Sequence, residues 1–254
     1  TQWFVSPAVF YIPDASVDRY AFFTWVYFPL AFGLATVLYG YTLKSFSRLP
    51  WRFFLFVSLL FSVCMFTVAI ATHPLHSQDV YWNLFYGKAF AVYHINPYTV
   101  APVSVLPTDP WISSFSMWKE LLMTHGPLWT LIVSFIVTVG KTLAGSLLAL
   151  KALEAFLLIC AGYILWRVMG IHGFVLEQKA KLMIFLAWNP FLLHATLVDG
   201  HNDILVLVAM ILSYYFFLKG HYHYSIVSLI LGGFVKYVSL LAIPIPIFFL
   251  AISR

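Results

Sequence analysis

Long apolar runs separated by short polar stretches dominate the chain. Runs lie at Phe22–Leu43, Phe53–Thr72, Leu182–Val198, Ile204–Leu218 and Ser225–Leu241, with a less regular stretch from Pro127 to Trp166. A bilayer core of about 30 Å needs about 20 mostly apolar residues per helical crossing, so the runs predict transmembrane helices. The polar positions between them sort by sign. Lys44, Arg48 and Arg52 share a loop with no acid, Arg167, Lys179 and Lys181 stand against Glu177, and Lys219 follows Leu218. Such basic loops belong on the cytoplasmic side. The long loop from His73 to His125 sets Asp79, Asp109 and Glu120 against Lys88 and Lys119, and the tight loop Asp199–Asp203 has acids and no base. Both are therefore placed on the outer face. Pro127–Trp166 must then cross an odd number of times, and three crossings do not fit in about 40 residues. One full crossing plus a short re-entrant or interfacial piece does fit, with Lys141, Lys151 and Glu154 near a polar boundary.

Composition narrows the class. The 254 residues are 62% hydrophobic and 9% charged, which excludes an ordinary soluble domain. The expected fold is an all-α polytopic transmembrane helical bundle of about seven spans, a single domain over residues 1–254. The net charge of +5 reads as membrane topology, with no nucleic acid among the partners. A start at Thr1 and a final apolar run, Ile243–Ile252, that stops at Arg254 suggest a piece of a longer protein. Asp14 and Asp18 beside Arg19 do not make the basic start of a signal peptide. Cys64 and Cys160 fall within apolar runs and read as small hydrophobes rather than a disulfide. Aromatics such as Tyr39, Tyr41, Trp51, Trp166, Trp188, Tyr222 and Tyr224 suit belts at span ends.

Residues 73–125 form the expected first outer loop. After His73-Pro74-Leu75-His76, the spacing of Tyr81, Leu84, Phe85, Ala89 and Val92 predicts a helix, with Asp79 and Asn83 on its opposite face. That pattern suggests an amphipathic helix lying on the membrane surface. Asp79 would sit at the mouth of the bundle, where a carboxylate at the edge of an apolar cavity can serve as general base. The same residue type also suits a helix N-cap.

The ordered set Asp79-Val80-Tyr81-Trp82, Gly87, Asn96-Pro97-Tyr98, His125-Gly126-Pro127-Leu128-Trp129, Asn189-Pro190, Gly200-His201-Asn202-Asp203 and Lys236 resembles the polyprenol-phosphate-sugar-dependent glycosyltransferases of the GT-C superfold. It looks most like the bacterial α-1,6-mannopyranosyltransferases, and the likeness covers about Ser77–Pro246. His125 stands where that family usually has Tyr. The resemblance implies Asp79 as catalytic carboxylate, with Asn83, Tyr98, His125 and Trp129 framing a cleft for the acceptor. It also implies that Lys236, His201, Asp203 and Asp199 meet the phosphate or sugar of the donor, where cations and hydrogen-bond donors stabilise the leaving group. For the Asp199–Asp203 loop the alternative is a solvated turn capping the next helix. Lys236, placed well inside its span, needs an anionic partner, either the lipid phosphate or Glu154.

The implied partners are a polyprenyl-phosphate sugar donor, a glycan or lipid acceptor and membrane lipids. The implied site faces the extracytoplasmic side of the cytoplasmic membrane. No cofactor is expected. His73, His76 and Asp79, or Asp199, His201 and Asp203, could ligate a metal, but Pro74 breaks the first spacing and neither set is completed by Cys or Glu. Neither a nucleophilic-serine motif nor a phosphate-loop motif occurs, which argues against a soluble nucleotide-sugar donor. Two other functions stay open: a transporter or flippase of a polyprenol-linked anion, with Lys236, Lys151 and Glu154 along the path, and a non-catalytic membrane subunit.

Overall fold

The computed structural model describes residues 28–45, 50–72, 74, 77–114 and 120–252. Expectations that fall on Asp14, Asp18, Arg19, residues 22–27, Arg48, His73, His76 and Lys119 lie outside the described residues. Among the described residues the chain is helical, with no strand. The longer elements are α1 (Phe28–Ser45), α2 (Trp51–Ala71), α3 (Asp79–Ala91), α4 (Pro127–Gly140), α5 (Leu143–Ile171) and α6 (Leu176–Ala187). Then follow α7 (Pro190–Leu193, continued by a π-helical turn His194–Val198), α8 (Asp203–Leu218), α9 (Tyr222–Gly233) and α10 (Pro244–Ile252). A 3-10 segment, Tyr237–Ala242, links α9 to α10.

Local chemistry sets the boundaries. Proline opens α4 and α7 at the first turn, where its missing N–H leaves no bond unmade. Thr142 caps α5 by accepting from the Gly145 N–H at 3.0 Å, and the Asn189 side chain accepts from the Leu192 N–H at 3.2 Å to cap α7. Cys64 and Cys160 are free thiols.

The main core forms where α3 lies against α4, with α5 behind them. Val80, Leu84, Phe85, Tyr86, Trp129 and Val133 are fully buried there. By contrast, Val37, Leu59, Val63, Phe156 and Ile159 leave α1, α2 and α5 with apolar outer faces. Outer surfaces of this kind suit a lipid surrounding.

Several expectations change. The helix after the second run exists, but it does not lie on a surface with one wet face: Val80 through Gly87 and Ala89 are all buried. Its polar Asn83 is satisfied internally, donating from Nδ2 to the Asp79 carbonyl at 2.8 Å and accepting from Trp129 Nε1 at 2.8 Å. The expected span Leu182–Val198 breaks at Trp188–Asn189, and its halves meet at a bend of 48°. The expected span Ser225–Leu241 also breaks, because α9 stops at Gly233 and Lys236 takes an extended conformation (φ −151°, ψ 124°). Pro127–Trp166 divides into the 14-residue α4 and most of the 29-residue α5. At about 1.5 Å per residue, α5 exceeds the thickness of a bilayer core. Among the described residues it is the one unbroken helix long and apolar enough to cross a membrane, joined by a second if the bent pair counts as one span. A bundle of about seven spans is thus not what helix length alone gives here.

Candidate active site

Asp79 is the first residue of α3, and its backbone N–H donates to Ser77 Oγ at 3.1 Å. Its carboxylate remains open, with the side chain 42% exposed, and Oδ2 lies 4.0 Å from His201 Nδ1. That separation is too long for a hydrogen bond.

The position of His201 follows from how α7 ends. The His194 carbonyl accepts from the Asp199 N–H at 2.9 Å, a bond five residues long that defines the π turn. Gly200 then turns with φ +71° while the Gly200 and His201 N–H groups close back on the Thr196 and Ala195 carbonyls, both at 3.0 Å. This glycine-terminated closure satisfies the helix-end carbonyls and aims His201 at α3. Gly200 also has no room for a side chain: a Cβ would lie 2.9 Å from Val80 Cγ2.

Lys236 reaches the same rim by a different route. The Gly126 N–H donates to the Val235 carbonyl and the Leu128 N–H to the Phe234 carbonyl, each at 2.9 Å. The entry to α4 is thereby stitched to the break after α9. Lys236, expected inside a span or snorkelling toward its edge, donates to Asp203 Oδ1 at 2.7 Å across a partly open surface, so its partner within the chain is Asp203 and not Glu154. The break explains the change, since an ammonium on extended backbone at a helix end need not be buried.

His125 stands between these groups. Its ring packs edge-on to Trp129 and tilted against Trp82, and its backbone carbonyl accepts from Tyr98 Oη at 2.9 Å. Burial, and then the charge of Lys236, push its pKa down to about 4, against the opposing pull of Asp79 and Asp203. The imidazole is neutral at physiological pH, with a buried Nδ1 that has no hydrogen-bond partner among the described residues. Because the folded value lies below the ordinary 6.5, the unfolded chain takes up the proton first. Stability present above pH 6.5 should therefore drain away as pH falls toward 4. Replacement by Gln should flatten that part of the unfolding profile, and NMR of the wild-type ring should find it uncharged at about pH 5.

The expected site residues are thus only partly brought together. Asp79, His125, His201, Asp203 and Lys236 share one rim. Asn83 and Trp129, expected in the cleft, stand behind it in the core, 3% and 0% exposed. Tyr98 props the backbone of His125 and meets Thr130 Oγ1 at 2.7 Å. Asp199, expected to project with its loop neighbours, is buried, and its Oδ2 lies 3.4 Å from His194 Nδ1. These two residues, with Phe191, His201 and Asp203, line a cavity of about 410 Å³. His194 was not singled out in the sequence, because its five-residue spacing from Asp199 brings the pair together only through a π turn. Among the described residues no three His, Cys, Asp or Glu side chains gather as a metal-holding group.

The family model for the N-terminal domain of alpha-(1->6)-mannopyranosyltransferases matches residues 29–252. The chain belongs to this family. It is a mannosyltransferase of the bacterial α-1,6 and GT-C type, as the ordered motifs from Asp79 to Lys236 imply. Neither a curated protein nor a solved structure matches the chain. A mannosyltransferase needs a sugar donor and a glycan acceptor, and the shared rim holds two carboxylates, one ammonium and two imidazoles.

Proposed function

We propose that this mannosyltransferase works as a multi-pass protein of the cytoplasmic membrane, transferring mannose from a polyprenyl phosphate to a glycan or lipid hydroxyl on the outer face. Asp79 is the general base. It accepts the acceptor's proton as the acceptor oxygen bonds to the anomeric carbon, while the bond from that carbon to the phosphate oxygen breaks and polyprenyl phosphate departs. Lys236 and His201 meet the phosphate, Asp203 and Asp199 serve the donor end, and His125 faces the acceptor with Tyr98 fixing its backbone. The observation that carries this reading is the open Asp79 carboxylate 4.0 Å from His201, on the rim that also holds the Lys236–Asp203 pair. A base needs access to the acceptor, and a leaving phosphate needs a cation nearby.

The donor is tested directly. Purified protein in vesicles, given an acceptor and labelled mannose on either polyprenyl phosphate or a nucleoside diphosphate, should transfer label from the lipid alone. Equal transfer from the nucleotide in the absence of any lipid carrier would overturn the proposal.

A further inference from the structure

Directly behind the rim, α5 carries two ionisable side chains that the transfer chemistry does not use. Lys151 and Glu154 are both about 1% exposed, and they lie one turn apart on the same face of the helix. Lys151 Nζ donates to the Ala69 carbonyl at 3.4 Å and, in a shorter bond, to the Thr72 carbonyl. These carbonyls close α2, where a cation complements the negative end of the helix. Thr72 stands seven positions before Asp79 in the sequence. Glu154 points at the other loop. A Cβ on Gly200 would lie 3.7 Å from Glu154 Oε2 and 2.9 Å from Val80, the residue after Asp79. Neither Glu154 oxygen has a hydrogen-bond partner among the described residues.

Burying such groups is expensive, and replacing buried ionisable side chains with apolar ones of similar size is often neutral or stabilising. Stability is therefore a poor account of their presence. Their placement gives a better one: Lys151 bonds the end of α2 ahead of Asp79, and Glu154 lies beside the glycine ahead of His201. We infer that Lys151 and Glu154 are positioning residues, a buried post on α5 that holds the roots of the two loops in register so that Asp79 faces His201. The inference rests on the proposed role of Asp79 only for its effect on rate; the geometric claim stands apart from it.

The test separates the two. In a Cys64→Ser, Cys160→Ser background, Asp79→Cys with His201→Cys reports the register through its rate of cross-linking by a short bifunctional reagent. The double variant Lys151→Met with Glu154→Leu should fold and melt no lower than the parent, yet cross-link at least tenfold more slowly. In the active protein the same double variant should lower kcat at least tenfold with KM for the donor within about twofold. In an Asp79→Asn background it should lower kcat much less than in the parent, because only the His201 loop is then left to position. Lys151→Arg, which keeps a cation for the two carbonyls, should restore both readings to within about threefold of the parent. An unchanged cross-linking rate would overturn the inference, and so would a double variant that fails to fold, since the pair would then serve stability alone. If Asp79→Asn retained full transfer while the cross-linking rate fell, the proposed base would be lost and the positioning role kept.

Discussion

Asp79→Asn should lower mannose transfer by about 10²- to 10⁴-fold, the range that a positioned general base contributes. The amide keeps the shape of the carboxylate but is a far poorer proton acceptor. The fold should not notice the change. Asp79 is bound into α3 through its backbone N–H to Ser77 and its carbonyl to Asn83, neither of which involves the carboxylate. The measurement is labelled-mannose transfer at equal amounts of inserted protein, accompanied by a melting curve. A variant that melts like the parent and still transfers at the parent's rate would remove Asp79 from the mechanism. One that melts far lower would show the side chain to be structural.

The second large effect is expected at Gly126. A Cβ there would lie 2.2 Å from the Phe234 carbonyl oxygen and 2.5 Å from its carbon, and both are backbone atoms that cannot rotate away. Gly126→Ala must therefore part the entry of α4 from the break after α9. Two backbone hydrogen bonds are lost, Gly126 to Val235 and Leu128 to Phe234, at about 1 kcal/mol each, and the overpacking adds about 1–3 kcal/mol. Two site residues hang on this seam, His125 directly before it and Lys236 directly after it. Activity should accordingly fall by more than the lost stability explains. Transfer assayed well below the melting temperature of the variant checks this, and transfer at the parent's rate would show that the seam is not needed for the site.

How much of this was legible in the sequence varies by element, for physical reasons. The helix Asp203–Leu218 followed from an unbroken apolar run with an acid at its start and a lysine after its end. The existence of α3 also followed from spacing, but its burial did not. Trp82 and Tyr86 are aromatics that could face lipid, water or core, and the satisfaction of Asn83 by Trp129 is a contact between residues far apart in the chain. Lys236 was misplaced for a related reason. Hydropathy sees an apolar run continuing through Gly232 and Gly233, whereas the chain breaks there because the Phe234 and Val235 carbonyls find partners at Gly126 and Leu128. Glycine pairs permit such a break, but only the distant partner makes it cheap. The motifs that carry the family likeness fared better. Asp79, His125, His201, Asp203 and Lys236 arrive on one rim although four separate parts of the chain deliver them. What the motifs did not convey is which of their members face the cleft: Asn83 and Trp129 hold α3 to α4, and Tyr98 holds a backbone carbonyl.

The bond between Lys236 and Asp203 has a consequence for any anion that approaches the rim. At rest the ammonium already holds a counter-ion from its own chain, at 2.7 Å and partly open to solvent. An anion that reached Lys236 would therefore bind by exchange rather than by addition, evicting a carboxylate that comes free beside it. An open pair of this kind is worth about 0–1 kcal/mol, so the exchange is inexpensive. A tethered carboxylate is nonetheless always present at high local concentration. Small free anions must compete with it unaided, whereas a ligand anchored elsewhere by an apolar chain does not depend on that one contact. The Lys236–Asp203 pair thus buffers the rim against the salts around it.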